Sequence, residues 1–425
     1  MEILIVSVFT IGYLFIALEH NIRIDKAAIA LITGVLTWSI FVFFADHHFI
    51  DEELHHHLIE IGEIVFFLFG AMTIVELVDS HQGFRIITDK ITTTDAVKLL
   101  WILSVITFFF SAVLDNLTTA IVMAALLGKL IKNRDQLLFF GGVMILSANA
   151  GGAWSPIGDI TTIMLWVGGQ VTINIVQAII IPSLVCMIVP LVYVSFKYRG
   201  IIIDRPDINE GANSFEVDPF ERNLLFILGV LGLLFVPIFK TVTHLPPYLG
   251  MLFSLGILWT VTELIHKNKT GEYKYKLSVA GALSKIDGST IFFFLGILLA
   301  VGSLQSTGIL NSLANILEDV FNGNLYYINI FIGFLSAILD NVPLVAGAMG
   351  MYEVQSTGDF AVDGMFWEFL AYCAGTGGSL LVIGSAAGVA VMGILRINFI
   401  WYLKNITFLA LIGYLSGALT YIILQ

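Results

Sequence analysis

Charge is what this chain has least of. Only 12% of its 425 residues are Asp, Glu, Lys or Arg, about half the share usual in soluble domains. With 58% hydrophobic residues and a mean hydropathy of +0.93, it cannot assemble an ordinary water-exposed surface. Apolar runs of about 20 residues recur instead, long enough to cross a bilayer. Basic residues are the scarcer sign, 20 Lys and Arg against 32 Asp and Glu, so nothing points to nucleic acid. Cysteine is nearly missing. Cys186 and Cys373 lie inside apolar runs with no disulfide or metal spacing and read as packing residues. There is no Gly-rich loop ending in GK[ST], no CxxC and no long soluble stretch, so neither ATP-driven transport nor a bound cofactor has support. The first segment, EILIVSVFTIGYLFIAL, lacks a basic n-region and a cleavage site and reads as a retained span.

The few positive charges set the expected orientation. Arg23 with Lys26, the group from Arg85 to Arg134, Lys197 to Arg205, Lys267 to Lys285, and Arg396 with Lys404 should face the cytoplasm. From 286 to 395 there is no Lys or Arg, and that region's loops should face outward. The stretch DHHFIDEELHHH (46–57) is expected in an exposed outer loop at 46–60. It reads either as a solvated acidic loop or as a pH-responsive or metal-binding element.

The run 101–127 then has basic groups on both sides and must enter and return. Its 27 residues give arms of about 12 each, which reach about the midplane, with a tip at Ser111–Thr118. By the same logic 326–351 is a hairpin from the outer side, with its tip at Ser336–Pro343. The two tips read SAVLDNLTTA and SAILDNVPLV. The next apolar stretches, 137–167 and 366–395, carry NAGGAWSPIGDITT and GTGGSLLVIGSAAG at their centres. Glycine pairs and a proline there predict helices interrupted near the midplane; glycine pairs also serve close packing.

The halves align at a nearly constant offset. Asp340 lies 225 residues after Asp115, Gly384 226 after Gly158, and Gly296 226 after Gly70. Five crossings and one hairpin per half turn the second half upside down. The expected fold is an all-α polytopic membrane protein of two inverted-topology repeats, each with five spans, a re-entrant hairpin and an interrupted helix. Residues 1–200 form the first repeat, 201–219 a cytoplasmic linker and 220–425 the second repeat, with both termini outside. Residues 83–98 and 308–322 read as amphipathic helices along the interface.

If both tips and both breaks converge, they gather Ser111, Asp115, Asn116, Asn149, Ser155, Asp159, Thr161 and Thr162 with Ser336, Asp340, Asn341, Thr376, Ser379 and Ser385. All bear oxygen, and none is Lys, Arg or His. An oxyanion would call for cationic partners. Three aspartates with amides and hydroxyls suit a hard cation instead, Na⁺ or Li⁺ at Asp115, Asp340 and Asp159. A buried carboxylate pair also holds protons, and competition between cation and proton suffices for antiport if access alternates. Intramembrane acids point to function, while an Asp–Asn pair also caps a half-helix. Asp159, whose counterpart is Ser385, is either a third ligand or a helix cap. Glu63 and Glu76, at span ends, are candidates for an ion path. An anionic-solute carrier on the same fold, a channel and an intramembrane enzyme are the other readings; the tips carry Asp where an anion carrier would favour Arg or Ser-Asn-Thr.

At these motifs the chain resembles the NhaD-type sodium/proton antiporters of the ion transporter superfamily. The matching phrases are SAVLDNLTTAIVM (111–123), SANAGGAWSPIGDITTIMLW (147–166) and SAILDN (336–341), and the resemblance runs over essentially the whole chain. It implies functional roles for Ser111, Asp115, Asn116, Asn149, Asp159, Thr161, Thr162, Ser336, Asp340 and Asn341, with Ser379 a looser match. It implies Na⁺(Li⁺)/H⁺ exchange in a bacterial inner membrane and, from superfamily relatives, a homodimer with elevator-like movement. The second break has fewer polar groups than the first, so the cation site is expected to lean on the first half.

Overall fold

A segment in hydrocarbon must satisfy its own backbone, which favours helices. The computed structural model describes residues 1–17, 19–45, 47–88, 90–205, 217–267 and 269–425, and these are helical with no strand beyond two isolated bridges. The first half begins with α1 (Glu2–Ala17), α2 (Glu19–Ile22), α3 (Lys26–Val42), the long α4 (His47–Ser80) and the short α5 (Arg85–Thr88). Next come α6 (Ala96–Leu114), α7 (Asn116–Leu130), α8 (Arg134–Ala153), α9 (Ile160–Val167) and α10 (Ile175–Lys197). The second half runs α11 (Pro219–Thr243), α12 (Pro247–Ile265), the short α13 (Gly271–Leu277) and α14 (Val279–Leu283), α15 (Gly288–Ser306) and α16 (Ile309–Val320). It ends with α17 (Leu325–Ser336), α18 (Asn341–Met351), α19 (Met365–Gly377), α20 (Ala386–Leu395), α21 (Phe399–Asn405) and α22 (Thr407–Leu424). Eight of these, α4, α6, α8, α10, α11, α12, α15 and α22, are long and apolar enough to cross a membrane. This is a multi-pass membrane protein.

Two groups of helices pack together. α1, α3, α4, α11, α12 and α15 form one; α6 to α10, α17 to α20 and α22 form the other. α15 meets α18, and α4 meets α9, where the groups join. The breaks fall where polar residues interrupt the apolar runs. α6 gives way to α7 at Asp115, whose φ of 81° lies in the left-handed region. α17 gives way to α18 across 337–340, α8 to α9 across 154–159, and α19 to α20 across 378–385.

Equivalent contacts recur 225–226 residues apart. The Ser111 hydroxyl donates to the Ala148 carbonyl (2.5 Å) and Ser336 to that of Ala374 (2.8 Å). Gly151 lies against the backbone of Phe108, and Gly377 against that of Gly333. Gly158 abuts the carbonyl of Ser111, and Gly384 that of Ser336. In each half the glycines let a half-helix approach the broken pair more closely than a side chain would allow.

Several expectations are corrected. The stretch from His47 is the start of α4, not a loop, and continues unbroken to Ser80; Asp46 lies outside the described residues. Carboxylates one turn from the histidines support the helix, His55 with Asp51 (3.4 Å) and His56 with Glu60 (3.3 Å). His57 is buried, donating or accepting at Ser306 Oγ (3.1 Å) beside Trp38. The arms of the first pair are 19 and 15 residues, not 12 each, because α6 begins at Ala96 under the Asp95 cap. Residues 83–98 are not one helix: a turn leads into α5, and Asp95 bridges to Ile202. That bridge, with Ile203 N–H donating to Thr94 O (2.7 Å), also pins 201–205 of the expected linker; 206–216 lie outside the described residues. The amphipathic segment at 308–322 does form a helix, α16.

Candidate functional site

Four broken ends meet in the middle of the molecule. Asp159 caps α9 by accepting from Thr161 N–H (3.1 Å) and is 1% exposed. A cap carboxylate has one oxygen engaged by its helix and the other free to turn outward. Here Asn116 Nδ2, at the start of α7, donates to Asp159 Oδ2 at 2.8 Å. Asn341 Nδ2, at the start of α18, approaches both oxygens at 3.4 and 3.5 Å. One carboxylate from the first interrupted helix is thus held between amides from both tips. Gly375 stands opposite: a methyl there would crowd Ala153 Cβ at 3.1 Å and lie in ordinary contact, 3.6 Å, with Asp159 Oδ2.

Asn149 extends the network across the halves. Its Oδ1 accepts from Asn116 (3.2 Å), and its Nδ2 donates to Ser379 Oγ and Ser385 Oγ, both at 2.9 Å. Ser385 caps α20 through Gly388 N–H (3.1 Å), the place Asp159 holds on α9. The Thr161 hydroxyl is buried and free of any well-aligned hydrogen bond. Ser155 donates to Ala112 O (2.5 Å), Thr162 to Ala153 O (3.4 Å) and Thr376 to Tyr372 O (2.6 Å). With Ser111 and Ser336, these hydroxyls fasten the breaks to neighbouring carbonyls.

Asp115 and Asp340 occupy the flanks. Asp115 caps α7, accepting from Thr118 N–H and Thr118 Oγ1, both at 2.8 Å. It borders a cavity of about 30 Å³ walled by Phe67, Met72, Thr290 and Phe294, room for about one small ion or water. Asp340 caps α18 through Val342 N–H (3.4 Å). Among the described residues, no hydrogen bond joins the two aspartates.

A cation that sequence reasoning assigned to a loop also reaches the site. Lys26 Nζ lies 3.1 Å from Asp340 Oδ2. A count of loop charges has no way to see a side chain folding back onto a residue 314 positions away. Lys240, which fell outside the five basic groups, donates to the Trp166 carbonyl at the end of α9. There it meets the negative end of the half-helix.

Two larger cavities lie at opposite ends of α4 and α15. One, about 430 Å³, is lined by Glu19, Asp25, Lys26, Glu76, Asp79 and Thr118, and shares Met72, Leu117, Thr118 and Thr290 with the small cavity at Asp115. The other, about 300 Å³, is lined by His57, Glu60, Glu63, Gln170 and Gln305. Glu76 and Glu63 thus mark opposite cavities, and α7 with α20 walls the first as α18 with α9 walls the second.

Residues 13–368 match the model of the citrate transporter family, CitMHS. The chain is 45% identical to sodium/proton antiporter 1 of Arabidopsis thaliana, over 99% of this chain and 72% of that protein. It is 42% identical to sodium/proton antiporter 2 of the same plant, over 97% of each. Against the Na⁺/H⁺ antiporter NhaD of Vibrio cholerae it is 28% identical over 98% of this chain and 91% of the relative. The chain therefore belongs to the citrate transporter family, as a relative of the NhaD-type antiporters.

Proposed function

We propose that this protein exchanges Na⁺ or Li⁺ for H⁺ by alternating access, with cation and protons competing for the midplane carboxylates. The observation that carries the reading is Asp159, a buried carboxylate held between Asn116 and Asn341. Carboxylate, amide and hydroxyl oxygens from Asp159, Asn149, Thr161 and the flanking Asp115 and Asp340 are hard donors of the kind Na⁺ takes. A carboxylate holds either a proton or a cation, so each arrival releases the other. The relatives named as sodium/proton antiporters support the same substrates.

The contacts repeating 225–226 residues apart support two repeats, 1–200 and 220–425. The cavities at opposite ends of α4 and α15 support access from alternate sides. By the distribution of Lys and Arg, the cavity containing Lys26 faces the cytoplasm and both termini face outward. The family description favours a second reading, a carrier of citrate or a similar anion. Against it, Asp159 is surrounded by the amides Asn116, Asn149 and Asn341 with no Lys, Arg or His among them, while Lys26 is engaged by Asp340 and Lys240 by the Trp166 carbonyl.

The test is dissipation of a pH gradient in inverted membrane vesicles on addition of Na⁺, Li⁺, K⁺ or citrate. Na⁺ or Li⁺ should dissipate the gradient in wild type and fail to do so in Asp159→Asn. No response to any cation, with uptake of citrate, would replace the reading by the anionic one.

A further inference from the structure

Lys26 sits at a helix start, where the backbone disfavours a cation and only its surroundings favour one. It is the first residue of α3, where the helix dipole opposes positive charge, and its side chain is 23% exposed in the wall of a cavity. Its surroundings hold it there. Asp25 caps α3 through Ala27 N–H (2.8 Å) and accepts from Ser289 Oγ at 2.6 and 2.7 Å, fixing the start of α3 to the start of α15. Glu19 accepts from the Lys26 backbone N–H (3.2 Å). The ammonium then lies 4.2 Å from the centre of the Phe293 ring, a favourable cation–π position, and 3.1 Å from Asp340 Oδ2. Asp340 is 14% exposed and belongs to the other group of helices. A residue kept against local preference and aimed at a functional carboxylate is where local and global demands part.

We propose that Lys26 is a tethered cation that occupies Asp340 whenever the transported ion does not. Resting on the exchange reading above, this assigns Lys26 a positioning role. A unit positive charge at 3.1 Å fills the space an arriving Na⁺ would need. Na⁺ or a proton must displace the ammonium from Asp340, and displacement breaks the only ion pair between the two helix groups at that tip among the described residues. The empty site stays fastened to α3, while a loaded one is released. An exchanger needs this restraint, because an empty carrier that crosses freely lets one ion run down its gradient without the other.

Lys26→Gln and Lys26→Arg, purified and reconstituted in liposomes, test it. Removing the charge should lower the apparent KM for Na⁺ by roughly two- to fivefold, the range for a partly exposed ion pair, with kcat changing less. Lys26→Gln liposomes should also leak protons without Na⁺, and Lys26→Arg should restore both properties. In the wild-type protein, acylation of Lys26 followed by mass spectrometry should rise when Na⁺ replaces choline, and in Asp340→Asn it should be high in both. Unchanged KM and tight liposomes for Lys26→Gln, or Lys26 acylation indifferent to Na⁺, overturns the assignment while exchange by the wild type stands. If Lys26→Gln loses its melting transition, the wild-type acylation measurement decides. Failure of the wild type to exchange Na⁺ for H⁺ at all sinks the functional reading instead.

Discussion

Gly377→Ala probes how tightly the second tip is seated. A methyl at 377 would fall 2.8 Å from the carbonyl carbon and 2.9 Å from the Cα of Gly333, with the carbonyl oxygen nearer still. Carbon atoms rest about 3.5 Å apart, so α17 and α19 must separate by roughly 1 Å. Overpacking of this kind costs about 1–3 kcal/mol. Separation also stretches the bonds from Ser336 to Ala374 O (2.8 Å) and from Tyr414 OH to Ile330 O (3.0 Å), each worth about 1 kcal/mol. The expected loss is about 2–4 kcal/mol. By the per-residue unfolding entropy of globular proteins this is a drop of roughly 2–4 °C in Tm for a chain of this length. Thermal unfolding in detergent, followed by tryptophan emission, measures it. The shift of the tip also moves Asn341 away from Asp159, so KM for Na⁺ should rise. A variant with wild-type Tm and wild-type KM would refute the claim that backbone contact sets this tip.

Asn149→Ala strips the amide from two serines and Asn116, and should cost about 2–3 kcal/mol in the same unfolding assay while weakening Na⁺ binding. Gly62→Ala is the contrasting case: mid-helix in α4 with nothing within 4 Å of an added methyl, it should stabilise by up to about 1 kcal/mol. His81, just past α4, stacks on His266 with 5.2 Å between ring centres, and burial pushes it down to about 4. Its folded value lies below the unfolded 6.5, so its contribution is fully present above pH 6.5 and is lost as pH falls toward 4. The loss is at most about 3 kcal/mol; thermal unfolding at pH 7.5 and pH 5 should show it, and His81→Gln should flatten the difference.

The broken ends were readable because hydrocarbon tolerates so few reasons for Asp-Asn or paired glycine. Asp115, Asp340 and Gly158 announce an interruption by chemistry alone, and the helices stop within a few residues of them. The order of the core was not readable. The two Asp-Asn pairs suggested aspartate facing aspartate, whereas the amides Asn116 and Asn341 turn inward to Asp159. Adjacent residues at a helix start point in different directions, and only packing decides which one faces the centre. The histidine stretch misled because polar composition resembles a loop, while its carboxylates spaced four residues away sustain a helix. Lys26 was hidden for a different reason: its partner is supplied by the other half of the chain.

The exchange of aspartate for serine between positions 159 and 385 has a consequence for how such a protein must be encoded. Two identical half-chains assembled as a symmetric pair would place the same residue at both caps, giving two carboxylates or none at the centre. Joining the halves into one polypeptide lets them diverge, so that Asn149 can bridge to a neutral Ser385 while Asp159 stands alone between the tips. Under the exchange proposed above, Asp159 is the one carboxylate of these two caps that an arriving cation would meet. A single polypeptide can thus carry one carboxylate over its two equivalent caps, a number that two identical halves could not specify.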